Sequence, residues 1–127
     1  MFSAKTGSGT VSYCKRNKIK IITIGGAGGQ TDPSKIQIAD LSKTIQDPLL
    51  AKVRSVLRKD FNFTKNPQRK FAVDAVFSSQ PLIFPKMGEG CEVSATMNCT
   101  NGFGAATMIT ATFGFFAVSR VIDKLLK

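Results

Sequence analysis

The chain has 127 residues, 43% of them apolar, and a formal charge of +10, which suits one folded domain and excludes disorder along the whole chain. The charge points to a polyanion, either nucleic acid or an acidic membrane surface, against the plain alternative of a solvated basic surface. No histidine is present, which excludes zinc held jointly by Cys and His and every triad built on an imidazole base. The three cysteines, Cys14, Cys91 and Cys99, form no CxxC pair. With no signal peptide, they fit a reducing cytosol.

Residues 1–12 carry Gly7-Ser8-Gly9, which is flexible and hostile to helix, and they are expected to be disordered or a truncated start. Residues 13–17 read as the last turn of a helix, with Lys15 and Arg16 at its C-terminal end and Asn17 as the stop. Residues 19–24 are a β-branched run that ends at Gly25-Gly26. Its near-continuous apolarity predicts a strand buried on both faces, as in a parallel sheet. The cluster Gly25-Gly26-Ala27-Gly28-Gly29 has two readings. Its backbone N–H groups can cradle a phosphate or carboxylate, or it is a tight turn that needs positive φ. With no GxGxxG, no lysine-bearing P-loop and a turn-forming Gln30-Thr31-Asp32-Pro33 after it, the turn is the expectation.

Residues 35–41 alternate as a half-exposed strand should. Asp47-Pro48 opens a helix as N-cap and first helical residue. Leu49, Leu50, Val53, Val56, Leu57 and Phe61 share one face of that helix. Lys52, Arg54, Arg58 and Lys59 occupy the rest, and Lys65, Arg69 and Lys70 follow around Asn66-Pro67. From Lys52 to Lys70 there are seven basic residues and one acidic one, Asp60. These seven are the candidate nucleic-acid contacts, since neutralising phosphates with such a cluster gives salt-dependent affinity. An amphipathic helix with a solvated face is the equal alternative. Residues 71–78 form another strand. Residues 82–84, between Pro81 and Pro85, suggest a short edge strand.

The longest uncharged stretch runs from residue 93 to 119. Within it Phe103, Ala106, Ile109, Thr110, Phe113 and Ala117 recur at helical spacing. A helix that is apolar nearly all round is buried in a core or crosses a bilayer. Thr107, Thr110, Thr112, Gly104 and Gly114 interrupt the run, so a core helix packed on a sheet, or on a second copy of itself, is expected over a span through 98–119. Thr100 or Asn101 is its expected N-cap. Cys99, just upstream of a helix N-terminus, is the candidate catalytic residue, since such a thiol can have a lowered pKa. Residues 120–127 read as an amphipathic turn that ends the chain.

Several of these stretches match one known family. Residues 14–19 (CKRNKI), GGAGGQTDPSKIQIADLSKTIQDPL, FAVDAVFS and NCTNGFGAATMITATFGFFAVS resemble the C-terminal half of the tRNA threonylcarbamoyladenosine dehydratases. These belong to the ThiF–MoeB–HesA superfamily, relatives of the ubiquitin-activating enzymes. The resemblance implies an α/β fold: a partial Rossmann-like mixed sheet packed with helices, with residues 1–127 as the C-terminal part of a ThiF/HesA-type domain. It implies a homodimer that uses ATP and magnesium to adenylate the carboxylate of a modified adenosine in tRNA and to cyclise it by dehydration. It also implies tRNA, and by analogy a sulfur-transfer protein, as partners; the expected location is the cytoplasm, with a peripheral place at the membrane as the alternative. The superfamily's glycine-rich ATP loop, its phosphate-binding arginines and its acidic metal ligand come from an N-terminal half that this sequence does not contain. Ser3-Ala4-Lys5-Thr6 resembles the segment after the metal-binding aspartate, but that aspartate is missing. Ala75 stands where the family often has cysteine, whereas Cys99 keeps a family cysteine. The expectation is a fragment that is inactive alone, with no cofactor-binding or metal-binding residues of its own. The alternatives are a non-catalytic basic module that binds RNA or a protein partner, and a small membrane-associated protein.

Overall fold

The computed structural model describes residues 4–82 and 106–127. In chain order the elements are helix α1 (Ala4–Arg16), strand β1 (Ile22–Ile24), strand β2 (Ile36–Asp40), helix α2 (Pro48–Asp60), strand β3 (Asp74–Ser78) and helix α3 (Thr107–Leu126). Short 3-10 turns, Pro33–Lys35 and Leu41–Lys43, flank β2. The sheet order is β1-β3-β2, with β1 parallel and β2 antiparallel to β3. This is a mixed α/β architecture, as the family resemblance implies.

Side chains alternate across β3 and thereby divide the core. Ala75 and Phe77 join Val11 of α1 and Leu50, Val53 and Leu57 of α2 on one face. Val76 joins Ile36 and α3's Ile109, Phe113 and Ala117 on the other. The central strand is buried from Ala75 to Ser78, which is why 71–78 reads as a strand. Hydrogen bonding confines it to 74–78, because Ala72 has φ of 62° and the segment before it is clamped by a carboxylate. Asp40 accepts from the N–H of Phe71 (2.9 Å) and of Val73 (3.1 Å). Ala75, at the position where the family often has cysteine, is fully buried between β1 and β2.

Several expectations need correction. Residues 4–12 are helical despite Gly7-Ser8-Gly9. Gly7, Ser8, Val11 and Ser12 are buried, so small side chains bring α1 close to α2, and the Ser8 hydroxyl donates to the Val53 carbonyl (3.3 Å). Tertiary packing here overrides poor helix propensity. α1 ends as expected, except that Lys18, with φ of 56°, is the left-handed residue rather than Asn17. Strand β1 is shorter than 19–24 and lies at the edge of the three described strands with Ile24 exposed, so it is not buried on both faces. The closing segment 120–127 is no separate turn. α3 continues without a break to Leu126, which brings Arg120 and Lys124 onto Asp74 at 2.8 and 2.7 Å.

α3 is also not buried all round. Ile109, Phe113 and Ala117 are buried, but Thr110 is exposed, and so are Met108, Phe115, Val118, Ile122 and Leu125. Its N-cap is Ala106, with no side-chain hydrogen bond. Among the described residues no helix is long and apolar enough to cross a membrane. Phe103, Cys91, Cys99, the expected strand at 82–84 beyond Leu82, and the expected caps lie outside the described residues.

Candidate anion-binding face

α2 is positioned by its first residue. Asp47 accepts from the Leu50 N–H (3.0 Å), as an N-cap should, and from the Gly26 N–H (3.0 Å), which ties the helix to the glycine-rich loop. A Cβ on Gly25 would sit 1.9 Å from an oxygen of the same carboxylate, so glycine is required there by close approach rather than by a ligand. Burial pushes the Asp47 carboxyl above its ordinary range, and the N–H bonds from Leu50, Gly26 and Leu49 only partly offset this. The loop's one described positive-φ glycine is Gly29, at 76°. A triphosphate does not fit this loop: a carboxylate already takes the Gly26 N–H group that would have cradled it. Nor do the described residues suit magnesium, for no group of three or more His, Cys, Asp or Glu converges among them.

With Leu50, Val53 and Leu57 turned into the core, helical periodicity sends Arg54, Arg58 and Lys59 outward. Arg54 donates through Nη1 to the Thr44 hydroxyl, which in turn donates to the Leu41 carbonyl (3.1 Å). Arg58 donates through Nε to the Thr64 carbonyl (3.3 Å). Its guanidinium lies over the Phe71 ring, 5.1 Å from the centroid, a favourable cation–π distance. Phe71 is itself braced edge-on by Phe63 at 5.1 Å. Desolvation, and then the neighbouring Arg58 charge, lowers the Arg54 pKa from its ordinary value.

Arg54 and Arg58 line an open depression of about 420 Å³ together with Ala51, Ser55, Lys59 and Lys65. Four of the seven basic residues singled out in the sequence, Arg54, Arg58, Lys59 and Lys65, are thus brought together. Lys52 and Arg69 are exposed outside the depression. Lys70 lines a different cleft, of about 510 Å³, with Asp40, Asp74, Arg120 and Lys124. A third cleft, about 330 Å³ and mainly apolar, lies against β1 between α1 and α2. The sequence reading missed Thr44, Thr64 and Phe71 as the groups that hold the arginines, since nothing in spacing alone links residues 54 and 44. It also missed Arg120 and Lys124, whose four-residue spacing was the available signal for a shared face. Of the cysteines, Cys14 is described: it is a free, half-buried thiol on α1.

No protein-family model matches the chain. It is 81% identical over 125 residues to the tRNA threonylcarbamoyladenosine dehydratase of Haemophilus influenzae, which covers 98% of this chain and 48% of that protein. It is 50% identical over 131 residues to the Escherichia coli enzyme of the same description, covering 98% and 49%. The solved structure of E. coli tRNA N6-threonylcarbamoyladenosine dehydratase in complex with ATP superposes with a TM-score of 0.81 at 48% identity, over 99% of this chain and 45% of that one. The complex with AMP gives the same score over 46% of that chain. The chain spans about half the length of the relatives it matches. Along nearly all of its length, then, it is similar to about half of a tRNA threonylcarbamoyladenosine dehydratase, and the resemblance carried by its motifs holds.

Proposed function

We propose that the chain is the C-terminal portion of a cytoplasmic, ATP-dependent tRNA dehydratase, and that it supplies a tRNA-docking face and dimer contacts rather than the nucleotide pocket. The observation that carries the docking role is the depression on α2, where Arg54, Arg58, Lys59 and Lys65 converge and, among the described residues, no carboxylate lines it. Cations so placed neutralise backbone phosphates and position an RNA without reading its bases. ATP enters by analogy with the relative solved with ATP and AMP. The adenylation it would supply, with magnesium, belongs to the part of the relatives that this chain does not span, and no step of it is assigned to residues here.

The homodimer is supported by the outer face of α3. Met108, Ala111, Phe115, Val118, Ile122 and Leu125 follow each other at alternating steps of three and four, the spacing of a coiled-coil seam. Arg120, Asp123, Lys124 and Lys127 all fall off that seam, so two copies of a strongly basic chain can meet there without opposing like charges. An interface of standard size buries about 800 Å² per partner, and the large seam side chains, Met108, Phe115, Val118, Ile122 and Leu125, are 50% to 73% exposed and offer apolar surface toward it.

The test is an ATP-dependent dehydration assay on tRNA that carries threonylcarbamoyladenosine, run with this chain alone and with the complementary half of the E. coli enzyme added. The chain alone is expected to bind tRNA, to consume no ATP and to contribute to turnover only on mixing. ATP consumption by the chain alone, or no tRNA binding, would overturn the proposal.

A further inference from the structure

Arg54 and Arg58 are one helical turn apart on α2, a spacing at which like charges destabilise a helix. Both guanidinium groups are nevertheless fixed rather than splayed into solvent. Arg54 is anchored on the hydroxyl of buried Thr44. Arg58 is anchored on the Thr64 carbonyl and the Phe71 ring. Each anchor uses one donor nitrogen, and the remaining guanidinium N–H groups have no hydrogen-bond partner among the described residues. Lys59 and Lys65 close the rim, and Ser55 adds a hydroxyl. Asp47, itself buried, adds a charge that favours the Arg54 cation but does not line the depression. A held pair of like charges, with donors left over and, among the described residues, no carboxylate lining the depression, is complementary to a tetrahedral oxyanion.

We infer that this depression is a docking site for one phosphate-class oxyanion, a backbone phosphodiester of the RNA, gripped by Arg54 and Arg58 and flanked by Lys59 and Lys65. The site rests on the RNA-docking reading above and sharpens it. Two of the seven basic residues grip by geometry, while Lys52, Arg69 and Lys70, which lie outside the depression, act only as diffuse charge. Arginine and lysine are not interchangeable at the gripping positions, because the planar fork is what matches two phosphate oxygens. At the diffuse positions only the charge matters.

The test is titration of the whole chain with a labelled tRNA at several salt concentrations. The variants are Arg54→Lys, Arg58→Lys, Lys52→Arg and the triple neutralisation Arg54→Ala/Arg58→Ala/Lys59→Ala, each checked for an unchanged thermal melt. The charge-conserving Arg54→Lys and Arg58→Lys are expected to weaken binding about fivefold or more with little change in salt slope. Lys52→Arg is expected to bind as the parent does. Arg54→Lys stands in should Arg58→Lys lose its packing on Phe71 and melt early. Inorganic phosphate at matched ionic strength is expected to displace tRNA better than chloride, and to lose that advantage in both lysine variants. Parent-like binding by both lysine variants, with the triple variant weakened, would overturn the oxyanion grip and leave the RNA-docking reading standing. Parent-like binding by every variant would remove that reading as well. A phosphate-induced rise in melting temperature without tRNA binding would overturn RNA as the source of the oxyanion.

Discussion

α2 and α3 cover opposite faces of the same three strands and treat solvent in opposite ways. α2 turns Leu50, Val53 and Leu57 to the sheet and its cations outward. α3 turns Ile109, Phe113 and Ala117 to the sheet and keeps a second apolar row outside, with Phe115 73% exposed. A helix of the first kind is finished by water or by an anion, whereas one of the second kind is finished only by another apolar surface. The difference shows that burial in this chain cannot be judged from apolarity alone. Phe113 and Phe115 are two residues apart in one helix, yet 2% and 73% exposed.

That pair gives the strongest test of the contrast. Phe113→Ala is expected to cost about 3–5 kcal/mol of stability, and Phe115→Ser less than about 0.5 kcal/mol. Urea unfolding at a concentration low enough to keep the chain monomeric measures both. Equal costs would mean that α3's outer row is covered within the chain. The α2 side has its own key residue. Asp47→Ala removes the helix cap and the bond to Gly26 together, and about 1–2 kcal/mol should be lost. A change no larger than that of a surface substitution would show that the glycine loop and α2 are not coupled through this carboxylate.

Much of the α2 side was legible in the sequence, because its signals are local. Asp47-Pro48 marks a helix start by the chemistry of one side chain, and the apolar face from Leu49 to Leu57 follows from periodicity. Of α1 only the last turn was legible, because Gly7-Ser8-Gly9 is judged by propensity, whereas the helix is held by contact with Val53, 45 residues from Ser8. α3 was recognised, and the spacing of Ile109, Phe113 and Ala117 picks out the row that meets the sheet; the second apolar row, from Met108 to Leu125, was not read as a separate exposed face. The basic cluster was visible as charge. Its division into an arginine pair held by Thr44, Thr64 and Phe71, and outlying charges such as Lys52, depends on tertiary neighbours that no spacing encodes.

Smaller effects separate the two sides by pH. Burial raises the Asp74 carboxyl, but the hydrogen bonds and charges of Arg120 and Lys124 outweigh it and hold the pKa below the ordinary value. Asp40 is likewise raised by burial and, on balance, lowered by the Ser42 hydroxyl and the N–H groups of Phe71, Ser42 and Val73. A depressed folded pKa gives stability that is present above the unfolded value, about 3.9, and lost as pH falls through the folded one. Asp47, with its raised pKa, acts in the opposite sense: its contribution is present below that unfolded value and lost as pH rises through the folded one. Asp74→Asn is therefore expected to cost less than about 1 kcal/mol near neutrality, since the pair is partly exposed, and to flatten the acid limb of a stability–pH curve. An acid limb as steep as the parent's would mean that α3 is not held to the sheet through Asp74.

The assignment of RNA to α2 and of a protein surface to α3 is tested most directly by the salt dependence of tRNA affinity in three proteins: the parent, Arg54→Ala/Arg58→Ala/Lys59→Ala, and Phe115→Ser/Leu125→Ser. Each phosphate that is no longer neutralised should reduce the slope of log affinity against log salt by about 0.7–0.9. The α2 variant is thus predicted to bind more weakly with a flatter slope, and the α3 variant to keep the parent's slope. An α2 variant with the parent's affinity and slope, or an α3 variant that flattens it just as much, would contradict the account.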